Sequence, residues 1–277
     1  MNINFKGKVF PPQQPIFKAD NRAFLYGDAL FETIRMFEGK LPFLDLHLER
    51  LLEGLRFFHY RIPKKYTSKF FQKEIKKIAT GNARIRLTVF RSEGGLYTPK
   101  NSRPQFLIST SPLSSSQFNI PKKGLTVGIF EESKLICAPI SNLKTCNSLP
   151  YIQAALFKKE QNLDDCILLN EKRKIAEANS SNIFLLQKNK LITPSLSEGC
   201  INGTVRKLIL KIAYKEKIPL KEKAINLSEL KKSKEILLTN SIQGINWVKK
   251  IEEPDITFEP PTLLPLLVSK LNFLINK

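Results

Sequence analysis

Strand-like and helical patterns of apolar residues alternate along this chain, on both sides of one polar stretch. Residues 22–28 are predicted to form strands and turns that lead into a β-type run at 29–37, which a Glu-Gly-Lys turn signal follows. From 44 to 58 the leucines recur at intervals of three and four residues, which is typical of an amphipathic helix. The same mixture returns after residue 124, with a predicted strand at 125–130 and a predicted helix at 149–160. Together these patterns predict an α/β or α+β protein.

A Ser-rich stretch and a Pro-Lys-Lys-Gly sequence mark the best candidate for a linker. Residues 111–116 read Ser-Pro-Leu-Ser-Ser-Ser and residues 121–124 read Pro-Lys-Lys-Gly, and polar segments with Pro and Gly favour loops over regular elements. We therefore predict a small domain over residues 1–115, a linker over 116–124 and a larger domain over 125–277. A chain of 277 residues is long enough for two such domains, each with a sizeable core.

Composition argues against several classes of protein. The net charge is +20, but the lysines are spread along the chain without interleaved aromatic residues, so we predict no nucleic-acid partner. No apolar run is long enough to span a bilayer, so no membrane partner is predicted, and the first six residues lack the apolar core of a signal peptide. Four cysteines without metal-ligand spacing predict no metal site and a cytoplasmic protein with reduced thiols: Cys137, Cys146, Cys166 and Cys200.

Three motifs carry the candidate chemistry. Lys144 stands in Leu-Lys-Thr-Cys-Asn, Glu177 in Ile-Ala-Glu-Ala-Asn-Ser-Ser-Asn, and residues 202–206, Asn-Gly-Thr-Val-Arg, open an amphipathic helix. An amine can condense with an aldehyde, and a carboxylate can keep a proton on a ring nitrogen. The backbone N–H groups at a helix start can receive a phosphate. An amine, an acid and an anion-binding helix start, in this order, indicate a protein that binds pyridoxal 5'-phosphate (PLP).

Two further segments resemble the N-terminal signature of the class IV aminotransferases, the fold-type IV PLP enzymes. They read Tyr-Gly-Asp-Ala-Leu-Phe-Glu-Thr-Ile-Arg at 26–35 and Leu-His-Leu-Glu-Arg-Leu at 46–51, and the motifs at Lys144, Glu177 and Gly203 follow in the family's order and spacing. The resemblance covers residues 20–248. It implies a small N-terminal α/β domain, a larger barrel-like C-terminal domain, and a homodimer with PLP between the domains.

The resemblance also implies roles for individual residues. Lys144 matches the lysine that forms the Schiff base with PLP and then takes the Cα proton of the amino substrate. Glu177 matches the carboxylate that faces the pyridine nitrogen; without the motif it would be interpreted as a strand-edge surface residue. Arg50 matches an arginine that reaches the cofactor phosphate, for which the planar guanidinium is well suited. Without the motif, Arg50 would be interpreted as a helix-surface arginine beside Glu49 or Glu53.

The phosphate site is predicted at two turns. Gly203, Thr204 and Val205 match the turn that surrounds the phosphate, with the backbone N–H groups of Thr204 and Val205 as donors. Many relatives have a threonine where this chain has Val205, so the hydroxyl of Thr204 would have to replace that contact. Ser241 matches a second phosphate contact, although an ordinary loop serine is nearly as good an interpretation.

Substrate contacts are predicted from the same resemblance. Arg91 precedes Ser-Glu-Gly-Gly at 92–95 and lies where relatives place loop residues that bind the substrate carboxylate. Tyr26 and Phe31 are predicted to line the pocket, although aromatic residues of this kind lie in the core more often. His47 is interpreted as a structural part of the His-x-x-Arg element.

The reaction itself is open between subfamilies. Chain length, the Arg91 loop, which lacks the Arg-His pair typical of D-amino-acid transaminases, and Ser148, where branched-chain enzymes usually have a tyrosine, favour a 4-amino-4-deoxychorismate lyase. Such an enzyme releases p-aminobenzoate and pyruvate in folate synthesis. A branched-chain or other amino-acid aminotransferase is the alternative. A non-catalytic binding protein on a PLP fold is a remote third interpretation.

Overall fold

The computed structural model describes residues 2–252 and 254–276. Within these residues the chain forms two compact units: unit 1 comprises 2–117, 143–147 and 275–276, and unit 2 comprises 118–142 and most of 148–274. The short segment that carries Lys144 therefore belongs to unit 1, whereas its neighbours along the chain belong to unit 2. The predicted domain limits at 115 and 125 stay a prediction.

Unit 1 is built on a five-stranded antiparallel sheet with helices packed on it. Its strands are β1 (Ile3–Phe5), β2 (Lys8–Phe10), β3 (Ala29–Met36), β4 (Ala83–Arg91) and β5 (Pro104–Pro112), and its helices are α1 (Arg22–Tyr26), α2 (Leu44–Phe57) and α3 (Ser68–Lys76). The strand order is β2-β1-β5-β4-β3. Strand β3 is therefore an edge strand of this sheet, and α2 packs on it.

The regularly spaced leucines of α2 contribute to the core of unit 1. Leu44, Leu48, Leu51 and Leu55 recur on one face of the helix and are all buried against the sheet. Burying this face removes apolar surface from water, which is the main favourable contribution to folding. Two polar residues of α2, His47 and Arg50, are buried as well, and they are described below with the site.

Unit 2 contains a mixed sheet of nine strands that curls into a half-barrel. The strands are β6 (Leu125–Leu135), β7 (Asp165–Asn170), β8 (Ile175–Ala178), β9 (Asn182–Gln187), β10 (Lys190–Pro194), β11 (Leu220–Lys223), β12 (Glu235–Asn240), β13 (Gly244–Ile251) and β14 (Ile256–Thr257). Eight follow the order β11-β10-β9-β12-β13-β6-β7-β8, and β14 pairs with β13. The helices are α4 (Leu149–Glu160), α5 (Thr204–Lys215), α6 (Leu227–Lys231) and α7 (Leu264–Ile275).

Four strands of unit 2 are buried on both faces. Every residue of β7 and β8 is buried, as are all but the last residues of β9 and β12. Strands covered on both sides consist of nearly continuous apolar residues rather than alternating ones. A charged residue in β8 is therefore surrounded by protein, and its charge needs hydrogen-bond donors.

The predicted fold class is confirmed, since both units mix strands and helices and the larger sheet is barrel-like.

The prediction of strands and turns at 22–28 was wrong, because residues 22–26 form helix α1. The side-chain oxygen of Asn21 accepts hydrogen bonds from the backbone N–H groups of Ala23 and Phe24, and Gly27 ends the helix with a positive φ of 64°. The N-cap residue Asn21 and the C-terminal Gly27 stabilise a helix that is too short to show a periodic pattern.

Candidate functional site

Lys144 is held in unit 1 by backbone hydrogen bonds to strand β3. The N–H of Phe31 donates to the carbonyl of Lys144 at 2.9 Å, and the N–H of Cys146 donates to the carbonyl of Ala29 at 2.9 Å. The preceding Leu143 is buried in the core of unit 1. The segment 143–147 thus lies beside the sheet like a short additional strand. This arrangement fixes the backbone of Lys144, a half-buried residue whose amine lies 4.6 Å from the ring centroid of Phe31.

A second cation lies over the same aromatic ring. The guanidinium carbon of Arg86 is 3.8 Å from the ring centroid of Phe31, and Arg86 also interacts with the thiol of Cys146. Burial lowers the pKa of Arg86. In the β3–β4 register Phe31 is opposite Thr88, so Phe31 and Arg86 project from the same face of the sheet. Sequence reasoning missed Arg86, although residues 84–89 alternate between polar and apolar side chains, a pattern that could have indicated the face of the strand on which it lies.

Arg50 lies in a buried ionic cluster with Glu32 and His47. The Nε and Nη2 atoms of Arg50 donate to the two carboxylate oxygens of Glu32 at 2.8 and 2.5 Å, and Nδ1 of His47 is 2.7 Å from Oε2. Burial raises the pKa of Glu32, but Arg50 and His47 outweigh it and lower that pKa to about 2. Burial also lowers the pKa of His47. With 4% of its surface exposed, Arg50 is not a helix-surface arginine.

Arg91 belongs to another buried cluster of unit 1, around Asp28. Its Nε donates to Oδ2 of Asp28 at 2.9 Å, and its Nη2 donates to the carbonyl of Phe58 at 2.8 Å. The hydroxyl of Tyr60 donates to Oδ1 of Asp28, and Nε of Arg22 donates to Oδ2. Burial raises the pKa of Asp28, but the two arginines outweigh it and lower that pKa. The predicted contact of Arg91 with a substrate carboxylate stays a prediction.

Tyr26 packs beside the loop that follows β4. Its ring centroid is 5.7 Å from that of Tyr97, and the guanidinium of Arg22 lies 4.9 Å from the Tyr26 ring. The same guanidinium donates to the four successive carbonyls of residues 94–97. One buried arginine therefore organises this loop, and Tyr26 is a half-buried part of the arrangement.

Glu177 is buried in unit 2, in strand β8. Only 3% of its surface is exposed, so it is not a strand-edge surface residue. Its carboxylate accepts hydrogen bonds from the hydroxyl of Tyr151 at 2.6 Å, from Nδ2 of Asn182 at 3.1 Å and from the backbone N–H of Ile201 at 3.1 Å. Donors directed at a carboxylate favour its ionised form, which opposes the effect of burial. Sequence reasoning missed Tyr151 and Asn182, although Asn182 ends the quoted Glu177 motif.

Asn182 joins Glu177 to the start of helix α5. Its Nδ2 donates to the carbonyl of Ile201 at 2.8 Å, and a Cβ placed on Gly203 would overlap its side-chain oxygen. Gly203 is the N-cap residue and Thr204 the first residue of α5. The N–H groups of a first helical turn have no acceptor within the helix, so the backbone of Thr204 and Val205 can donate to an anion. The side chain of Val205 is buried in the core.

Ser241 lies in a turn that Asn240 fixes. The side-chain oxygen of Asn240 accepts hydrogen bonds from the N–H groups of Ile242 at 3.0 Å and Gln243 at 2.8 Å, and its Nδ2 donates to the hydroxyl of Ser181 at 3.0 Å. Strand β12 pairs with β9 next to this turn. The Ser241 turn and the Asn182 loop are therefore neighbours within unit 2.

Comparison with known proteins identifies the family. The family model for class IV aminotransferases matches residues 29–251. The chain belongs to the class IV aminotransferase family. It is 28% identical over 260 residues to an aminodeoxychorismate lyase of Bacillus subtilis, which covers 91% of this chain and 87% of that enzyme. It is 26% identical over 261 residues to a candidate branched-chain-amino-acid aminotransferase of Methanocaldococcus jannaschii, covering 91% and 88%.

A solved structure of a class IV aminotransferase has the same fold. The branched-chain aminotransferase of Thermoproteus uzoniensis, crystallised with norvaline, superimposes with a TM-score of 0.89 at 20% identity and covers all of this chain and 95% of that one. Class IV aminotransferases depend on PLP, and this chain is a PLP-dependent enzyme of the same family.

The residues of unit 2 fit PLP. Gly203 has no Cβ, which lets Asn182 approach the start of α5 and hold Glu177 at the same time. The hydroxyl oxygen of Thr239, beside the Ser241 turn, is buried and has no hydrogen-bond partner among the described residues. The first turn of α5 and the hydroxyl groups of Thr239 and Ser241 suit a phosphate group. The carboxylate of Glu177, which several donors hold, suits a ring nitrogen that carries a proton.

Two other features, a membrane-spanning helix and a group of metal ligands, are absent from the part of the chain that the structure describes. There, no helix combines the length and the apolar character needed to cross a membrane. No group of three or more His, Cys, Asp or Glu side chains is arranged to hold a metal ion in residues 2–252 and 254–276.

Proposed function

We propose that this class IV aminotransferase is a PLP-dependent lyase that converts 4-amino-4-deoxychorismate into p-aminobenzoate and pyruvate. The observation that carries the proposal is its similarity, over nine-tenths of its length, to an aminodeoxychorismate lyase. The Arg-Ser-Glu-Gly-Gly loop at 91–95 and the serine at position 148 support the same choice.

Lys144 is the proposed catalytic base. PLP, when bound, supplies an aldehyde that condenses with amines and a ring that withdraws electrons from the amine-bearing carbon. Lys144 provides the protein amine for that aldehyde, and in its neutral form it takes the proton from the amine-bearing carbon of the substrate. The backbone bonds to Phe31 and Ala29 keep the lysine in one place during this transfer.

Other residues bind and orient the cofactor in the proposed enzyme. Glu177 keeps its negative charge because several donors hold it, and this charge favours a proton on the ring nitrogen. The phosphate binds the N–H groups of Thr204 and Val205 after Gly203, together with Ser241. Arg50, whose guanidinium Glu32 orients, adds positive charge for the phosphate.

The proposed reaction rearranges the atoms of one substrate. The proton of the amine-bearing ring carbon passes to Lys144, the bond from the ring to the enolpyruvyl oxygen breaks, and the oxygen keeps the bonding electrons. The leaving group takes up a proton and becomes pyruvate, while the six-membered ring becomes aromatic. No keto acid is consumed, whereas a transaminase requires one as its second substrate.

Substrate contacts are proposed in unit 1. Phe31, with Lys144 and Arg86 beside its ring, provides an apolar surface next to positive charge, which suits a cyclic substrate with carboxylates. Tyr26 is proposed to line the same substrate region. A contact between Arg91 and a substrate carboxylate requires this arginine to share its guanidinium with Asp28.

A branched-chain or other amino-acid aminotransferase is the second candidate. The similarity to the Methanocaldococcus protein extends over the same share of this chain. Lys144 and Glu177 would serve such a reaction equally well, because both reactions begin with loss of a proton from the amine-bearing carbon.

We also infer a homodimer and a cytoplasmic location. The family resemblance supports the homodimer, and the four cysteines, all free in the structure, support a reducing compartment. Sedimentation of the purified protein at several concentrations would measure the dimer directly. A monomer at every concentration would contradict this inference.

The deciding experiment supplies 4-amino-4-deoxychorismate to the PLP-loaded enzyme without any keto acid. Equal release of p-aminobenzoate and pyruvate is expected, and Lys144→Ala should release neither. A parallel reaction offers leucine and 2-oxoglutarate. Glutamate formation without p-aminobenzoate would replace the lyase by an aminotransferase. No reaction in either assay, together with no bound PLP, would favour a binding protein.

A further inference from the structure

The hydroxyl of Tyr151 makes a short hydrogen bond to the buried carboxylate of Glu177. The distance to Oε1 is 2.6 Å, whereas the donors from Asn182 and Ile201 both lie 3.1 Å from the other oxygen, Oε2. An O–H group that donates to an ionised carboxylate forms one of the stronger hydrogen bonds in proteins. Of these three donors, only Tyr151 bonds to Oε1.

The ring of Tyr151 is fixed by packing. Tyr151 lies in the first turn of α4 and packs against a cluster of buried residues on β6, β7, β8 and α4 itself. Burial beside Glu177 raises the pKa of the Tyr151 hydroxyl well above its usual value. The hydroxyl therefore stays protonated and remains a donor throughout the pH range in which an enzyme works.

We propose that Tyr151 is a positioning residue that sets the proton affinity of Glu177 and, through it, the protonation of the ring nitrogen of bound PLP. This inference rests on the proposed function, because it assumes that Glu177 faces that nitrogen. A donor to the carboxylate lowers its affinity for a proton, so the proton between the carboxylate and the ring stays on the ring nitrogen. A protonated ring withdraws electrons more strongly from the amine-bearing carbon.

Tyr151→Phe removes the hydroxyl and keeps the ring that packs in unit 2. Glu177 then becomes more basic and draws the proton away from the ring nitrogen. The NMR shift of an isotopically labelled ring nitrogen in the holoenzyme reports this directly, without turnover. We expect it to move part of the way towards that of an unprotonated pyridine. We also expect kcat to fall by roughly tenfold, the factor that one pKa unit represents, with KM almost unchanged.

Two further variants provide a matched control and a test in the opposite direction. Tyr214→Phe removes the same hydroxyl from a tyrosine that is 88% exposed, and it should change neither the NMR shift nor kcat. Fluorinated tyrosine at position 151 keeps the packing and makes the hydroxyl a stronger donor. It should move the nitrogen shift in the opposite direction from Tyr151→Phe, and it tests the proposal even if the phenylalanine variant folds poorly.

Glu177→Gln separates the inference from the proposed function. If this variant changes the nitrogen shift but neither Tyr151 variant does, the role of Tyr151 is wrong and the role of Glu177 stands. If Glu177→Gln also leaves the shift unchanged, the proposed role of Glu177 itself fails. A lower melting temperature of Tyr151→Phe with an unchanged nitrogen shift would reduce Tyr151 to a structural residue and overturn the proposal.

Discussion

The side chain of Asn182 occupies the space in which a Cβ of residue 203 would stand. The φ of Gly203 is −66°, which any residue can adopt, so glycine is needed here for space and not for backbone conformation. The same Asn182 side chain donates to Glu177 and to the carbonyl of Ile201. The close approach of Asn182 to Gly203 thus connects Glu177, the proposed ring-nitrogen site, to the start of α5, the proposed phosphate site.

Gly203→Ala is therefore expected to weaken PLP binding by about tenfold or more, because the new methyl group displaces Asn182 and leaves Glu177 without one donor. The dissociation constant is measured by titrating the apoenzyme with PLP. A double-mutant cycle with Asn182→Ala tests the cause. If the overlap is responsible, Gly203→Ala should add little loss in the Asn182→Ala background. Fully additive losses would mean that the glycine matters for another reason.

Lys144→Ala is expected to abolish turnover and covalent attachment of PLP. Reduction of the loaded enzyme with borohydride, followed by digestion and mass spectrometry, should locate the cofactor mass on the peptide that contains Lys144. The exposed Lys211 provides a matched control, since Lys211→Ala should keep both activity and attachment. Labelling of any other lysine in the parent enzyme would refute the assignment of Lys144.

Helix α2 and the strand before it could be predicted because their patterns are local. Leucines spaced by three and four residues are sufficient to define the buried face of α2, and the observed helix ends within one residue of the prediction. Helix α1 could not be predicted in this way, because five residues hold hardly more than one turn. Its formation depends on the cap from Asn21 and on the glycine that follows.

The candidate site was only partly predictable for a related reason. Lys144, Glu177 and Arg50 follow from motifs, but their partners depend on the tertiary fold. Glu32 is 18 residues from Arg50 along the chain, and Tyr151 is 26 residues from Glu177. No local pattern joins such pairs. Strand β8, four residues with a carboxylate among them, also has no clear strand pattern, so the burial of Glu177 became evident only in the structure.

Arg22→Gln is expected to loosen the loop after β4. The arginine donates to four successive carbonyls of the loop, those of residues 94–97, and to Asp28, and glutamine can satisfy only a fraction of these acceptors. Hydrogen exchange at residues 94–100 should become faster, while exchange in α2 should stay unchanged. Arg22→Lys keeps the charge beside Asp28 but not the planar fork, and it should give an intermediate result. Unchanged protection in both variants would contradict the role of Arg22.

The stability of the enzyme in acid is expected to depend on Glu32. The folded-state pKa of this carboxyl is about 2, compared with 4.5 for an unperturbed glutamate. A carboxyl with a lowered pKa stabilises the folded state above its unfolded-state pKa, and this stabilisation disappears as the pH falls through the folded-state pKa. The stabilisation lost between pH 4.5 and pH 2 is about 3 kcal/mol, from the two pKa values.

Glu32→Gln tests this dependence. Near neutral pH the variant should be less stable by about 3–5 kcal/mol, because Arg50 loses a buried anionic partner. Its unfolding free energy should fall less than that of the parent as the pH decreases from 4.5 to 2, since the titrating group is gone. Urea unfolding of both proteins at a series of pH values measures the two slopes. Parallel curves over this interval would show that Glu32 does not carry the acid dependence.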